Sequence, residues 1–277
     1  MTIKEEYLIL IEKILTRIPL PAISSIHLPA LENTNEHKDE FGFIFLEDGS
    51  AGPFYTSLGN TLNTFWKRQN KGELGQHIDL PTLFASDNLA DHALALGTFN
   101  ALSSHLMKRA NYQPTQNRQS TGNSQPAPGE RIGMVGYFCP LVDKLLEQGC
   151  EVVVIEQQPE RVEFRKGVTV STNPASLAPC KTILCTGSTL INNSLDEILA
   201  AATNAQSFNL IGPSSSGLPD VLFAHGVTAT GGVHFDDIAA LQTALDNQES
   251  WGKAGEKYQL TPSNYPGVED LLERIPF

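Results

Sequence analysis

The sequence predicts an α/β protein: a parallel, doubly wound sheet in its C-terminal half, preceded by a small α+β domain. Three observations carry this. Residues 131–246 alternate short apolar runs with amphipathic stretches, the order of strands and helices in a parallel sheet. Residues 1–111 instead run helix, two strands and then further helix, the order of an α+β unit. Between them, residues 112–130 hold one aromatic, three prolines and no aliphatic side chain larger than alanine. That segment cannot build a core and reads as a polar linker or flexible loop. The domains expected are therefore 1–111, 112–130 and 131–277.

The elements follow in order. Tyr7, Leu8, Ile11, Ile14, Leu15 and Ile18 share one helical face, and Pro19 and Pro21 stop the helix. Ala22–Leu28 and Phe41–Leu46 read as strands, separated by the charged stretch Glu32–Glu40, and Glu47–Ser50 as a turn. A long helix spans about Asn88–Ala110, with Leu89, Ala93, Leu96, Phe99, Leu102 and Leu106 on its apolar face. In the second half, strands are expected at Arg131–Val135, Glu151–Ile155, Thr182–Cys185, Phe208–Ile211 and Val227–Thr230. Glu151–Ile155 is apolar without alternation, as in a strand buried on both faces. Helices are expected at Pro140–Gln148, Ser194–Thr203, Pro219–Ala224 and Asp236–Asp246.

Composition narrows the function. The chain has 277 residues, 40% hydrophobic and 18% charged, enough apolar side chains for a sizeable core. Its 19 basic and 31 acidic residues give a net charge of −12, which disfavours nucleic acid and anionic membrane as partners. No run approaches the ~18 apolar residues of a spanning helix. Glu5 and Glu6 near the start do not fit a signal peptide, and the four cysteines form no Cys-x-x-Cys pair. A cytoplasmic protein with reduced thiols is expected.

In a doubly wound sheet, ligands bind beyond the carboxyl ends of the strands. The loops there begin at Gly136-Tyr137, Glu156, Thr186-Gly187, Gly212-Pro213 and Gly231-Gly232. Glu156 lies twenty residues after Gly136, where a dinucleotide fold carries its ribose-binding acid; without a G-x-G-x-x-G fingerprint it reads sooner as a solvated strand-end carboxylate than as a nucleotide ligand. Thr186, Gly187, Ser188, Thr189, Asn192 and Asn193 crowd hydroxyls and amides before a helix, which suits a helix cap or a ligand. Gly212, Pro213 and Ser214 form either a flexible connection or an anion nest. His234 with Asp236 and Asp237 is the best local metal-ligating cluster, the alternative being a helix start capped by one of the aspartates. Cys139 sits at a helix N-terminus, a position that favours a thiolate donor, or else fills space beside Phe138. The chain contains no P-loop, no H-E-x-x-H and no Gly-x-Ser-x-Gly.

The runs Ile132-Gly-Met-Val-Gly-Tyr-Phe-Cys-Pro-Leu-Val142, Cys185-Thr-Gly-Ser-Thr-Leu-Ile-Asn-Asn-Ser-Leu-Asp-Glu-Ile-Leu199 and Leu210-Ile-Gly-Pro-Ser-Ser-Ser-Gly-Leu-Pro219 resemble the heavy-metal-chelation domain family. The resemblance implies a Rossmann-like C-terminal domain, an N-terminal domain like that of enolases, and a site in the cleft between them. Leu96–Ser103 on the long helix agrees more loosely. The chain departs from the family at Phe138-Cys139-Pro140, so Cys139 is not carried over as a family ligand. Glu47, Asp48 and Asn100 are the candidate contributions of the first half. The function expected is binding of a metal ion, a metal complex or a small anionic ligand, with a divalent or heavy metal ion as the implied cofactor class. Two alternatives stand beside it: an enzyme using a nucleotide-type cofactor at the strand ends, and a small-molecule carrier without turnover. Whether the chain is an enzyme, and its oligomeric state, stay open.

Overall fold

The computed structural model describes residues 1–31, 40–75, 78–114 and 126–275. The first half comprises α1 (Ile3–Arg17), β1 (Ile23–His27), β2 (Phe41–Leu46), β3 (Ala51–Tyr55), α2 (Thr61–Asn70), α3 (Leu80–Ala85) and α4 (Leu89–Arg109). Thr2 and Glu5 close a capping box on α1, and Asn88 Oδ1 accepts from the Ala90 and Asp91 amides at the start of α4. β1, β2 and β3 form an antiparallel sheet in that order. β3 was not expected, because Gly52 and Pro53 break its strand pattern. Gly52 is there for a steric reason: a Cβ would stand 2.0 Å from the Gly97 carbonyl oxygen of α4. Most of the charged stretch Glu32–Glu40, and residues 115–125 of the linker, lie outside the described residues.

The second half comprises β4 (Arg131–Val135), α5 (Cys139–Glu147), β5 (Glu151–Ile155), β6 (Val168–Ser171), β7 (Thr182–Thr186), α6 (Leu195–Ala201), β8 (Ser207–Ile211), α7 (Asp220–Ala224), β9 (Ala229–His234), α8 (Ile238–Asp246), β10 (Glu256–Leu260) and α9 (Val268–Glu273). The sheet order is β10-β9-β8-β7-β4-β5-β6. All neighbours are parallel except β10 with β9. Counted from β4, the six parallel strands follow the 3-2-1-4-5-6 order of a Rossmann sheet. The expected strand Val227–Thr230 is corrected to Ala229–His234. Its later half contains Gly231 and Gly232, which hide the strand signal; at Gly232 a Cβ would meet the Tyr258 ring at 2.6 Å.

Both faces of the sheet are covered. Ile132, Met134, Val152, Val154 and Leu184 pack with Val142 and Leu145 of α5. Ile183, Cys185, Phe208 and Leu210 point the other way. They join one continuous core with α6, α7 and α9 and with α1, α3 and α4 of the first half. The other side of the β2–β3 hairpin packs on β9 and α8 through Phe43, Phe45, Val233, Leu241 and Leu245. Among the described residues, no helix is long and apolar enough to cross a membrane.

Candidate functional site

Four strand ends converge on one cavity. β4 passes into Gly136, β5 into Glu156, β7 into Gly187 and β8 into Gly212. With Glu40, Phe41, Tyr55, Ser57, Leu58 and Gly59 of the first half, the loops that follow enclose about 520 Å³. That volume is in the range of small-molecule sites. The place follows from topology. The chain leaves β4 towards β5 on one side and returns to β7 on the other, and loops diverge at that switch point to leave a crevice.

Of the residues singled out in the sequence, Tyr137, Glu156, Thr186, Gly187, Ser188, Thr189, Asn192, Gly212, Pro213 and Ser214 line this cavity. The others do not. Glu47 is exposed in the turn of the β2–β3 hairpin, whereas Phe41 and Tyr55 at the opposite, open end face the cavity. Five residues of strand at ~3.4 Å each separate the two ends. Asp48, beside Glu47, binds His105 Nδ1 at 2.8 Å. Asn100 lies beneath the site: its Nδ2 donates to the Pro53 carbonyl at 2.8 Å and the Ser214 carbonyl at 3.1 Å. Asn193 turns away, its Nδ2 3.2 Å from His92 Nδ1. Cys139 opens α5 and faces Asp143 and Arg165, with the Arg165 guanidinium 3.1 Å from its sulfur. Glu40, Tyr55, Ser57, Arg161 and Glu197 were not anticipated; of these only Glu197 carried a signal, as an acid in the first turn of a helix.

Much of the hydroxyl density serves the fold. Thr186 Oγ1 accepts from the Ser188 amide at 3.3 Å, and Thr189 Oγ1 donates to the Thr186 carbonyl at 2.8 Å. Asn192 Oδ1 accepts from the Ser194 amide and hydroxyl at 3.2 and 2.6 Å. The three serines after Pro213 fasten the loop to two strands, Ser214 to β3 and Ser215 and Ser216 to β9. Ser214 Oγ accepts from the Tyr55 amide at 3.1 Å. Ser215 Oγ donates to the Gly231 carbonyl at 2.8 Å, and Ser216 Oγ accepts from the Val233 amide at 3.0 Å. Gly212 begins this loop at φ 107°, a conformation that glycine adopts without strain.

The electrostatics of the cavity are acidic. Among the described residues, Glu40, Glu156 and Glu197 line it against one cation, Arg161. Burial, with the Glu40 carboxylate nearby, pushes the Tyr55 phenol up to about 12. Burial and the neighbouring Cys139 thiol raise the Tyr137 phenol above its ordinary value. The Tyr137 hydroxyl is buried and has no hydrogen-bond partner among the described residues. The start of α5, where a dinucleotide fold receives a pyrophosphate, is partly closed to an anion. Pro140 has no N–H, and the Leu141 and Val142 amides both donate to the Phe138 carbonyl, at 2.9 and 3.0 Å. Among the described residues, no cysteine or histidine lines the cavity.

A second group of ligating side chains lies at the end of β9, outside the cavity lining. His234, Asp236 and Glu256 bring their donor atoms within 4.8 Å of one another. The helix cap expected nearby is Asp237, whose Oδ1 accepts from the Ala240 amide at 2.9 Å, so Asp236 is not engaged as the cap of α8.

A Rossmann-ordered sheet with a cavity at its switch point, walled on one side by a small α+β unit, defines the class of protein. A family profile described as "Putative heavy-metal chelation" (DUF364) matches residues 123–262, about half of the chain, and the chain belongs to this family. Two crystal structures of family members of unknown function share the fold. One, from Pyrococcus horikoshii, has 17% identity and a TM-score of 0.65, with 94% of this chain and 98% of that chain covered. The other, from Desulfitobacterium hafniense, has 18% identity and a TM-score of 0.65, with 93% and 98% covered. An uncharacterized protein of Methanocaldococcus jannaschii is 30% identical over 101 residues, which span 36% of this chain and 38% of that protein.

Proposed function

We propose that the protein binds a small organic molecule bearing positive charge, of which a metal chelate is the leading case, in the cavity at the switch point. The observation that carries this is the composition of the lining among the described residues: three carboxylates, Glu40, Glu156 and Glu197, against Arg161. A cavity of about 520 Å³ is far larger than a bare ion needs. Among the described residues its donors are hydroxyl, amide and carboxylate oxygens, without the thiolates or imidazoles that a naked soft metal selects. A heavy metal therefore enters as cargo already wrapped in an organic ligand, consistent with the family's description. Phe41, Tyr55 and Phe138 supply flat apolar walls for such a ligand. A dinucleotide fits less well, because Pro140 and the occupied amides of α5 remove its phosphate seat.

The test is a thermal-shift and calorimetric panel: free divalent ions, their polyamine and histidine complexes, cationic amines, and adenine nucleotides. The cationic or chelated ligands should stabilise the protein, and Glu156→Gln should weaken them by roughly tenfold, the loss of about one charged contact. Stabilisation by nucleotides alone would refute the reading.

A further inference from the structure

We infer that the chain carries a divalent transition-metal site outside the cavity, formed by His234, Asp236 and Glu256. The register of the sheet creates it. His234 is the last residue of β9 and Glu256 the first of β10, and the two are direct cross-strand partners in an antiparallel pair. Such partners place their side chains on one face within about 5 Å. Asp236 follows two residues after His234, before the capping Asp237.

The distances suit an ion better than they suit hydrogen bonds. His234 Nε2 stands 3.5 Å from Asp236 Oδ2 and 3.5 Å from Glu256 Oε2. A charge-assisted hydrogen bond is about 2.7–2.9 Å. Two ligands bound at ~2.1 Å to a tetrahedral ion lie about 3.4 Å apart. The imidazole is held by packing: its side chain is 14% exposed and lies 5.9 Å from the Tyr258 ring, while its buried Nδ1 has no partner among the described residues. Nε2 is thereby the nitrogen directed at the carboxylates. Those carboxylates are 63% and 48% exposed, so an ion would reach them from solvent and keep positions open for water. One imidazole with two carboxylates selects zinc, cobalt, nickel or manganese, and not the soft heavy metals that need thiolate.

The experiment titrates chelator-stripped, full-length protein with cobalt(II) and zinc(II), followed by calorimetry and by the visible absorption of bound cobalt. One equivalent of cobalt should bind. Glu256→Gln and Asp236→Asn, both at exposed positions, should weaken it roughly tenfold or more without changing the melting temperature of the metal-free protein. His234→Gln should abolish the cobalt spectrum. The inference is overturned if cobalt gives no spectrum, if Glu256→Gln and Asp236→Asn bind as tightly as the parent, or if Glu156→Gln removes the signal, which would put the ion in the cavity.

Discussion

The Asn100 side-chain amide donates to the Ser214 carbonyl 3.1 Å away, across 114 positions of sequence. The same Nδ2 donates to the Pro53 carbonyl, so one buried amide of α4 joins β3 to the loop after β8. Asn100→Ala leaves two buried carbonyls without that donor. It should lower the unfolding free energy by about 2–3 kcal/mol, read by urea denaturation with an unchanged m value. A loss under ~0.5 kcal/mol would show that the amide does not hold the two segments together.

Gly187 is a spacer between two loops of the cavity. A Cβ at this position would stand 2.8 Å from the Ser215 amide nitrogen and 3.1 Å from the Ser214 carbonyl carbon. Backbone cannot yield as a flexible side chain does. Gly187→Ala should therefore cost about 1–3 kcal/mol and weaken ligand binding at the same time, measured by chemical denaturation and calorimetry. Gly252→Ala, where the nearest neighbour is a serine side-chain oxygen at 3.6 Å, serves as the control and should be close to neutral.

Asp48 gives the fold an acid-sensitive point. Burial opposes its ionisation, but hydrogen bonds from His105 and Ser50 prevail and hold its carboxyl down at about 2, below its ordinary value. A depressed folded-state value means stability that is present above the unfolded value and lost as pH falls through the folded one. Melting temperature should thus fall between about pH 4 and pH 2 through this residue, and Asp48→Asn should flatten that limb. An identical acid limb in the variant would assign the loss to other groups.

Among the four thiols, Cys139 is the accessible one. Cys150, Cys180 and Cys185 are buried, and burial raises the thiol of each, that of Cys185 to about 12. Iodoacetamide at neutral pH should label Cys139 first, at a rate at least tenfold above the others, and Cys139→Ser should remove the fast phase in a mass-spectrometric time course. Because Cys139 faces Asp143 and Arg165 outside the cavity, the substitution should leave ligand affinity unchanged. A tenfold loss of affinity would return the thiol to the site.

The central strands were legible in the sequence because they are buried on both faces. Arg131–Val135 and Glu151–Ile155 need only a continuous apolar run, and the structure gives these bounds. The edges were not legible. Glu256–Leu260 carries Glu, Lys and Gln, suited to a sheet edge, and Val168–Ser171 is only four residues long. The strand ends could be read as cavity walls because topology alone places them there. The first-half contribution could not. Choosing Glu47 over Glu40 required knowing which end of the β2–β3 hairpin meets the sheet, and packing of Phe43 and Phe45 on Val233 and α8 decides that. Glu256 escaped notice for a similar reason, since it becomes a neighbour of His234 only through strand register.

The serine triplet carries a consequence for how occupancy would be sensed at a distance. Ser214, Ser215 and Ser216 fasten one short turn to β3 and to β9, while Pro213 and Ser214 form part of the cavity wall. Any molecule that steadies this wall also steadies its anchors, so binding and docking of the first half are thermodynamically linked. Amide exchange at Tyr55 and Val233, the two backbone groups that donate into the triplet, should slow when the cavity fills, with no ligand atom touching Val233.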